Sequence, residues 1–292
     1  MAGPFEGFEN VVRSGVPLAD ATSFHIGGPA EYFIEPRSLD ELTSLLNRCL
    51  DEGVPFRMLG RGSNILASDR GVSGAVFRLS RMRAISKSGA RITCEAGASL
   101  PSLVSRAKHW GLSGLEALAG VPGTVGGAIA TNAGGNHGSV ASVLRSVTTL
   151  DRSGRVCERT ADRLKLGYRR SELHNEVVLR AVFDLAEKDP AEVTERQAAI
   201  FLKKARTQPL GAWSAGCIFK NPETCGAGEL IDRAGLKGER IGRAVVSNKH
   251  ANFIINGGGA AAADVRALIA LVRKRVRKEF QTDLELEIEL WN

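Results

Sequence analysis

A glycine-rich stretch from Leu115 to Gly135 constrains this chain more than any other feature. Glycine loses more backbone freedom on ordering than any other residue, so such a stretch is either disordered or lets the backbone approach another group closely. Apolar anchors between the glycines argue against disorder, and they are Leu115, Leu118, Val121, Val125 and Ile129. The stretch therefore predicts tight turns whose N–H groups face a large, flat or anionic ligand. An ordinary tight loop or a close helix–strand contact is the alternative.

A second glycine loop, Gly60-Arg61-Gly62-Ser63-Asn64, follows a predicted strand at 56–59. Before that strand, Ser38 and Glu41 predict a capping box that opens a helix, so the region is a predicted β–α–β unit. Loops in this position commonly hold phosphate. The loop lacks the Gly-Lys-Ser/Thr of a Walker motif, and Leu66 stands near where a dinucleotide fingerprint needs its third glycine. A phosphate cradle is favoured over a plain β-turn.

The net charge favours anionic partners. Lysine and arginine total 39 against 32 aspartate and glutamate residues, which gives +7 at pH 7. Aromatic residues are only 5% of the chain, and single-stranded nucleic-acid recognition relies on stacking. A basic run at 273–278 lies in a helix predicted from Asp264, but Val276 keeps the apolar face of that helix in phase. A solvated helix face is therefore favoured over a nucleic-acid patch, and phosphorylated small molecules fit the charge best.

The cysteines and the N-terminus set the expected compartment. The five cysteines, at positions 49, 94, 157, 217 and 225, form no Cys-x-x-Cys pair, so neither a zinc site nor a disulfide framework is expected. The first residues lack the basic and apolar regions of a signal peptide. No apolar run reaches the ~18–20 residues that span a bilayer. We therefore expect no metal, no membrane partner and a cytoplasmic protein.

The chain ends on a strict alternation from Leu284 to Leu290, with leucine or isoleucine at every second position and glutamate between them. This pattern predicts one strand with an apolar face and a solvent-exposed face. Nothing local distinguishes one of these glutamates from the others.

Several motifs together resemble the UDP-N-acetylenolpyruvoylglucosamine reductase family, flavoenzymes of bacterial cell-wall synthesis. The matching stretches, in chain order, are 22–28, 59–64, 120–127, 167–171, 215–222, 249–253 and 284–287. They follow the family order over almost the whole chain. The direct run from Thr207 to Ser214 is similar to the shorter subclass, which lacks an extra tyrosine-bearing loop.

The resemblance implies an α+β fold with a two-lobed FAD-binding domain of the vanillyl-alcohol-oxidase (PCMH) type and a smaller α+β substrate-binding domain. We expect the first lobe at residues 1–78 and 283–292, the second lobe at 79–208, and the substrate-binding domain at 209–282. The C-terminal strand would return to the first lobe. A monomer is expected.

The resemblance also implies FAD as cofactor, NADPH as reductant and a UDP-sugar as substrate. The predicted FAD-binding residues come from both glycine loops and are Gly60, Arg61, Gly62, Ser63, Asn64, Pro122, Gly123, Thr124, Gly126, Gly127, Ala128 and Asn132. In the implied reaction, hydride passes from the reduced flavin to UDP-N-acetylglucosamine enolpyruvate. The product, UDP-N-acetylmuramate, is a peptidoglycan precursor that serves cell-wall biogenesis, cell shape and cell division.

Three residues at matching motif positions suit the chemistry of that step. Arg169 offers a planar fork for a carboxylate on which negative charge accumulates. Cys217 stands where the family usually has serine, and a thiol with an ordinary pKa of about 8.5 is protonated at neutral pH yet acidic enough to donate. A small buried filler is the alternative for this cysteine. Glu287 matches the family's catalytic glutamate, and beside an anionic substrate it needs a protonated or proton-sharing carboxyl.

The predicted substrate-binding residues are Tyr168, Arg206, Lys220, Asn221, Lys237 and His250. One departure from the family pattern stands near the catalytic motif, because Glu289 occupies a position that is often arginine. It would remove one cationic contact. The rival interpretations are an FAD-linked oxidoreductase of the same fold with another substrate, a nucleic-acid-binding protein, and an inactive nucleotide-sugar binder.

Overall fold

The chain forms two compact units, neither of them continuous in sequence. Unit 1 comprises Met1–Ser14, Tyr32–Gly60 and Gly74–Lys203, and unit 2 comprises Gly15–Glu31, Arg61–Ser73 and Lys204–Asn292. The computed structural model describes residues 4–135, 137–151, 153–173, 176–223 and 225–292. Each unit has its own buried apolar cluster.

Both units contain helices and strands. In the described residues the helices are α1 (Leu39–Asp51), α2 (Leu100–His109), α3 (Val125–Ala130), α4 (Pro190–Thr207), α5 (Ala227–Arg233) and α6 (Ala262–Phe280). The strands are β1 (Val12–Pro17), β2 (Pro29–Ile34), β3 (Phe56–Met58), β4 (Ile65–Ala67), β5 (Val72–Phe77), β6 (Ile85–Ser88), β7 (Arg91–Glu95), β8 (Leu112–Ser113), β9 (Gly134–Gly135), β10 (Gly138–Ser139), β11 (Leu144–Leu150), β12 (Val156–Thr160), β13 (Val177–Asp184), β14 (Ala186–Glu187), β15 (Arg240–Ile241), β16 (Ala244–Val246), β17 (Ile254–Asn256) and β18 (Glu289–Trp291). None of these described helices is both long enough and apolar enough to cross a bilayer.

A four-stranded sheet in the order β1–β2–β5–β3 contains the predicted β–α–β region, and β5 lies between its two strands. The cap of α1 differs in one bond from the predicted capping box. Ser38 accepts from the Glu41 N–H at 3.2 Å, as predicted. The Glu41 carboxylate, however, accepts from the N–H of Arg37 at 2.6 Å, one residue earlier than the box requires. Of the N–H groups at the start of the helix, the cap therefore satisfies that of Glu41, while the Glu41 carboxylate holds the residue before the N-cap.

The core of unit 1 forms around an antiparallel sheet in the order β12–β11–β13–β7–β6. Val147 and Phe183, from two adjacent strands, are 0% and 1% exposed. Val125 and Ile129 of α3 belong to the same buried cluster and are fully buried. The short helix that carries part of the predicted flavin motif is therefore anchored by its apolar residues, as the alternation of glycine and aliphatic side chains predicts.

Unit 2 packs α5 and α6 with an antiparallel sheet in the order β15–β16–β17. The apolar face predicted for α6 is confirmed, because Val265, Leu268, Ile269, Val272 and Val276 are all buried. In the basic run, Arg275 pairs with Glu279 at 3.6 Å and Arg277 with Asp283 at 3.5 Å. These charges therefore lie on the solvated face of an amphipathic helix.

The C-terminal segment is not the single strand that its alternation predicts. Leu286 forms an isolated antiparallel bridge with Phe219, and only residues 289–291 form a strand, β18, which runs parallel to β4. Leu284 and Ile288 are buried, whereas Leu286 and Leu290 are half-buried. The segment changes its backbone partner part-way, but all four of these side chains lie in or pack against the buried apolar cluster of unit 2, as the alternation predicts.

Candidate active site

The loop from Gly60 to Asn64 presents a run of backbone N–H groups. Across the part of the chain that the structure describes, none of these N–H groups donates to a protein acceptor. Gly62 has φ +62, and a Cβ there would lie 2.6 Å from the carbonyl oxygen of Ala21. Successive N–H groups in a turn of this kind make a concave, partly positive site. The loop therefore fits an anionic diphosphate group.

The second glycine loop leads into α3. Thr124 caps this helix by accepting from the N–H of Gly127 at 3.3 Å, and a Cβ at Gly60 would lie 2.8 Å from Thr124 Oγ1. Gly126 instead serves packing, because its N–H donates to the Ala96 carbonyl at 2.9 Å and a Cβ would lie 3.0 Å from Ala96 Cβ. The close-packing alternative thus holds for Gly126. Gly127 and Pro122 are exposed, and Gly123 and Ala128 are buried.

Arg169 lies in a tight turn that Gly167 and Arg170 close. The N–H of Gly167 donates to the Arg170 carbonyl at 3.0 Å, and the reverse bond is 3.3 Å. Arg169 has φ +54, a left-handed conformation that is uncommon for a side chain of this size. Its guanidinium carbon lies 5.5 Å from the centre of the Tyr168 ring, within cation–π range. The structure therefore brings these two predicted site residues together.

Cys217 and Glu287 lie on neighbouring backbone segments of unit 2. The N–H of Glu287 donates to the carbonyl of Ile218 at 2.8 Å. Cys217 itself forms an antiparallel bridge with Phe253. Asn64, from the first glycine loop, donates through Nδ2 to the Glu287 carbonyl at 3.1 Å. The predicted proton donor and the predicted glutamate thus lie on adjacent, hydrogen-bonded backbone segments, and both are half-buried.

Burial distinguishes Cys217 from the core cysteines. Cys49 and Cys94 are 1% and 0% exposed, and burial raises the pKa of each thiol to about 12. A thiol that donates a proton in each turnover has to regain one from its surroundings. Of these three cysteines, only the half-buried Cys217 is placed to exchange protons with solvent or a bound ligand.

Two predicted substrate-binding lysines are paired with acidic neighbours. Lys220 Nζ lies 2.5 Å from Glu285 Oε1, and Lys237 Nζ lies 2.5 Å from Asp232 Oδ2. Ion pairs with exposed partners of this kind contribute only about 0–1 kcal/mol. An incoming diphosphate can therefore exchange for these carboxylates at small cost.

The other predicted substrate contacts differ in how firmly they are held. Asn221 Oδ1 accepts from the N–H of Ala227, the first residue of α5, at 3.0 Å. Arg206 is exposed in the last turn of α4. Glu289, the departure from the family pattern, is exposed and accepts from Trp291 Nε1 at 3.2 Å.

His250 is held as a neutral imidazole. Burial first, and then the charge of Lys237, lower the pKa of His250 from its usual 6.5. Its Nδ1 accepts from the N–H of Asn252 at 3.2 Å, a bond that requires an unprotonated nitrogen. At neutral pH this predicted substrate-binding residue therefore offers a hydrogen bond rather than a positive charge.

The lowered pKa of His250 predicts a pH dependence of stability. The folded state binds this proton less readily than the unfolded state, so the contribution of His250 is complete above about pH 6.5 and declines as the pH falls below that value. Urea denaturation at pH 7 and pH 5 should show a smaller loss of unfolding free energy in His250→Asn, which keeps an acceptor, than in the wild type. His109→Asn, at an exposed histidine, is the control and should lose as much unfolding free energy between pH 7 and pH 5 as the wild type. An equal loss of unfolding free energy in His250→Asn and the wild type would contradict the prediction.

Asn252 is a site residue that sequence reasoning did not single out. Its Oδ1 accepts from the Phe219 N–H at 2.9 Å, and its Nδ2 donates to the Phe219 carbonyl at 2.8 Å. Its own carbonyl accepts from the N–H of Ile218 at 2.8 Å. The side chain is 2% exposed and therefore fixes the backbone immediately after Cys217. The available signal was a polar amide among apolar neighbours inside the 249–253 motif.

Comparison with known proteins decides the family. Residues 208–291 match the family description "UDP-N-acetylenolpyruvoylglucosamine reductase, C-terminal domain", and residues 30–160 match "FAD binding domain". The UDP-N-acetylenolpyruvoylglucosamine reductase of Carboxydothermus hydrogenoformans is 42% identical over 282 residues, which are 96% of this chain and 93% of that protein. The chain belongs to the UDP-N-acetylenolpyruvoylglucosamine reductase family. The relative of the same name from Synechococcus sp. is 43% identical over 283 residues, 95% of this chain and 93% of that protein.

Solved structures agree with this assignment. The crystal structure of the family member from Thermus caldophilus matches with a TM-score of 0.85 at 39% identity, and the match covers 96% of this chain and all of that chain. A solvent-stable cholesterol oxidase, 18% identical, matches with a TM-score of 0.50 over 62% of this chain and 39% of that chain, which shows the shared fold alone. The predicted α+β fold, with a PCMH-type FAD-binding domain and a C-terminal domain, is confirmed. The protein is an FAD-dependent oxidoreductase of this reductase family.

Proposed function

We propose that this protein reduces UDP-N-acetylglucosamine enolpyruvate to UDP-N-acetylmuramate, with NADPH as reductant, in cytoplasmic peptidoglycan precursor synthesis. The proposal depends most on the hydrogen bond from the Glu287 N–H to the Ile218 carbonyl. Because Ile218 directly follows Cys217, this bond holds the Glu287 backbone against the segment that carries Cys217. Both residues stand in motifs of the family to which the chain belongs. The protein acts as a monomer in this proposal.

Bound FAD would be held by the two glycine loops. The N–H groups from Gly60 to Asn64, which donate to no acceptor among the described residues, suit its diphosphate, and Arg61, exposed in the same loop, adds a positive charge. The loop from Pro122 to Ala128 would flank the isoalloxazine ring. We propose the same domain boundaries as above. The FAD-binding domain has one lobe at residues 1–78 and 283–292 and a second at 79–208, and the substrate-binding domain spans 209–282.

The chemistry that bound FAD would supply is hydride transfer to the enolpyruvyl methylene carbon after reduction by NADPH. Negative charge then spreads toward the substrate carboxylate. Arg169 binds that carboxylate through its planar, permanently charged guanidinium, which stabilises the charge as it develops. The tight turn around Arg169 fixes the backbone that carries this side chain.

Cys217 supplies the proton. Its S–H bond breaks as a C–H bond forms at the carbon next to the carboxylate, and the thiolate left behind is reprotonated before the next turnover. Glu287 orients the substrate carboxylate or assists this proton return. Tyr168, Arg206, Lys220, Asn221, Lys237 and His250 contribute contacts to the UDP-sugar.

The visible flavin spectrum tests the proposal in one anaerobic experiment. NADPH should bleach the yellow protein, and UDP-N-acetylglucosamine enolpyruvate should then restore its colour. Bleaching without return of colour would mean that the protein is an FAD-linked oxidoreductase of the same fold that acts on another substrate. A protein that neither contains nor takes up FAD would contradict the role given to both glycine loops.

A further inference from the structure

The turn that carries Arg169 has a backbone conformation that arginine rarely adopts. Its left-handed residue lies third in the turn that starts at Gly167, a position that favours glycine or asparagine when φ is positive. Non-glycine residues persist in such conformations only when surrounding contacts determine them. The contacts that determine this one should therefore matter for the position of the guanidinium.

Two side-chain hydrogen bonds flank Arg169 at equal distances along the chain. Two residues before it, the Gly167 carbonyl accepts from Asn132 Nδ2 at 2.8 Å. Two residues after it, Ser171 Oγ donates to the Ala130 carbonyl at 2.7 Å. Both bonds lead to the C-terminal end of α3. The turn is thus pinned on both sides to one short segment of unit 1.

The Asn132 side chain links two backbone segments of unit 1 by hydrogen bonds. It is 6% exposed, and its Oδ1 accepts from the N–H of Ala141 at 3.0 Å while its Nδ2 holds Gly167. Both ends of the side-chain amide are therefore used by the protein itself. Asn132 also has φ +42, a conformation that asparagine tolerates better than most residues. The side chain that we predicted to bind the cofactor therefore also supports the Arg169 turn.

Helix α3 joins this support to the loop from Pro122 to Ala128 that we propose for the isoalloxazine ring, here called the flavin cradle. Thr124 and Gly127 lie at its N-terminal end, and Ala130 and Asn132 lie at or just beyond its C-terminal end. The helix is fixed in the core by Val125 and Ile129, both 0% exposed. One rigid element therefore sets the positions of the cradle and of the turn.

We infer that Asn132 and Ser171 are positioning residues, which hold Arg169 in its left-handed turn and fix its guanidinium relative to the flavin cradle of α3. The inference rests on the proposed function, because the role of Arg169 is part of that proposal. Neither residue contacts the reacting atoms in this scheme. Each acts through the backbone on one side of Arg169.

The test compares Ser171→Ala with Ser146→Ala by anaerobic stopped-flow spectroscopy. Ser146 is the matched control, because it is a buried serine of unit 1 whose hydroxyl donates one bond, to Glu158 at 3.0 Å. Ser171→Ala should slow substrate-driven reoxidation about ten- to hundred-fold, as expected when a catalytic group is misplaced, and leave reduction by NADPH at the wild-type rate. Ser146→Ala should leave both rates unchanged. Equal effects of the two variants on reoxidation would overturn the inference.

A double-mutant cycle separates this inference from the proposed function. In an Arg169→Ala background, Ser171→Ala should cause no further loss of reoxidation, because the group it positions is gone. A further loss of similar size would overturn the positioning role. If the single variant Arg169→Ala is reoxidised at the wild-type rate, both the proposed role of Arg169 and the inference fail. If Arg169→Ala is slow but Ser171→Ala is reoxidised at the wild-type rate, the inference fails and the role of Arg169 stands.

Asn132→Asp provides a second route if Ser171→Ala folds poorly. The aspartate keeps an acceptor for the N–H of Ala141 but loses the donor to Gly167. It should reproduce the selective loss of reoxidation, with FAD affinity unchanged. Loss of FAD affinity with normal reoxidation in the FAD-saturated variant would overturn the inference and return Asn132 to cofactor binding.

Discussion

Cys217→Ala is expected to retain FAD and its reduction by NADPH while losing about 10²- to 10⁴-fold in substrate-driven reoxidation, the usual worth of a positioned general acid. The loss should be selective because, in the proposed mechanism, the thiol acts only when a carbon must be protonated. The half-buried Cys217 can exchange its proton, unlike Cys49 and Cys94, whose burial raises the pKa of their thiols to about 12. Stopped-flow measurement of the returning flavin colour gives the rate directly.

Two further substitutions sharpen the Cys217 experiment. Cys217→Ser should recover appreciable activity, because a hydroxyl of similar size can still donate a proton. Cys225→Ala is the matched control, since Cys225 is also a half-buried cysteine of unit 2 and packs against its apolar cluster. It should turn over normally. Full turnover in Cys217→Ala would remove the thiol from the mechanism.

Arg169→Ala should lower substrate-driven reoxidation by about 10²- to 10³-fold, as the loss of one preorganised group at a developing anion typically does. Reduction by NADPH should continue, because that step develops no charge on a substrate carboxylate. Arg169→Lys should recover only part of the rate, since an ammonium keeps the charge but cannot form the planar two-point contact. The same spectroscopic experiment measures all three proteins.

Arg170→Ala is the control for Arg169. Arg170 is the next residue, exposed, and contributes its backbone N–H and carbonyl to closing the turn. Alanine preserves both backbone groups, so reoxidation should remain near the wild-type rate. Equal losses in Arg169→Ala and Arg170→Ala would indicate a general effect of positive charge rather than a specific carboxylate contact.

Features that depend on local chemistry could be predicted from the amino-acid sequence alone. The glycine spacing at 60–64 indicated an N–H cradle because a run of donors in a turn needs no distant partner to be recognised. The period of Val265, Leu268, Val272 and Val276 predicted the buried face of α6 because a helix fixes which side chains share a side. The ordered motifs identified the family, which the comparisons confirmed.

Features that depend on partners distant in sequence became visible only in the folded chain. The alternation from Leu284 to Leu290 could not reveal that the segment leaves Phe219 and joins β4, because a two-residue period does not specify which backbone it pairs with. Asn252 likewise resembles an ordinary polar residue, and Asn132 a predicted FAD-binding residue, until the folded chain brings Phe219 and Gly167 to their amides. Each owes its role to hydrogen bonds closed across 33 and 35 residues of sequence, and such bonds exist only once the chain has folded.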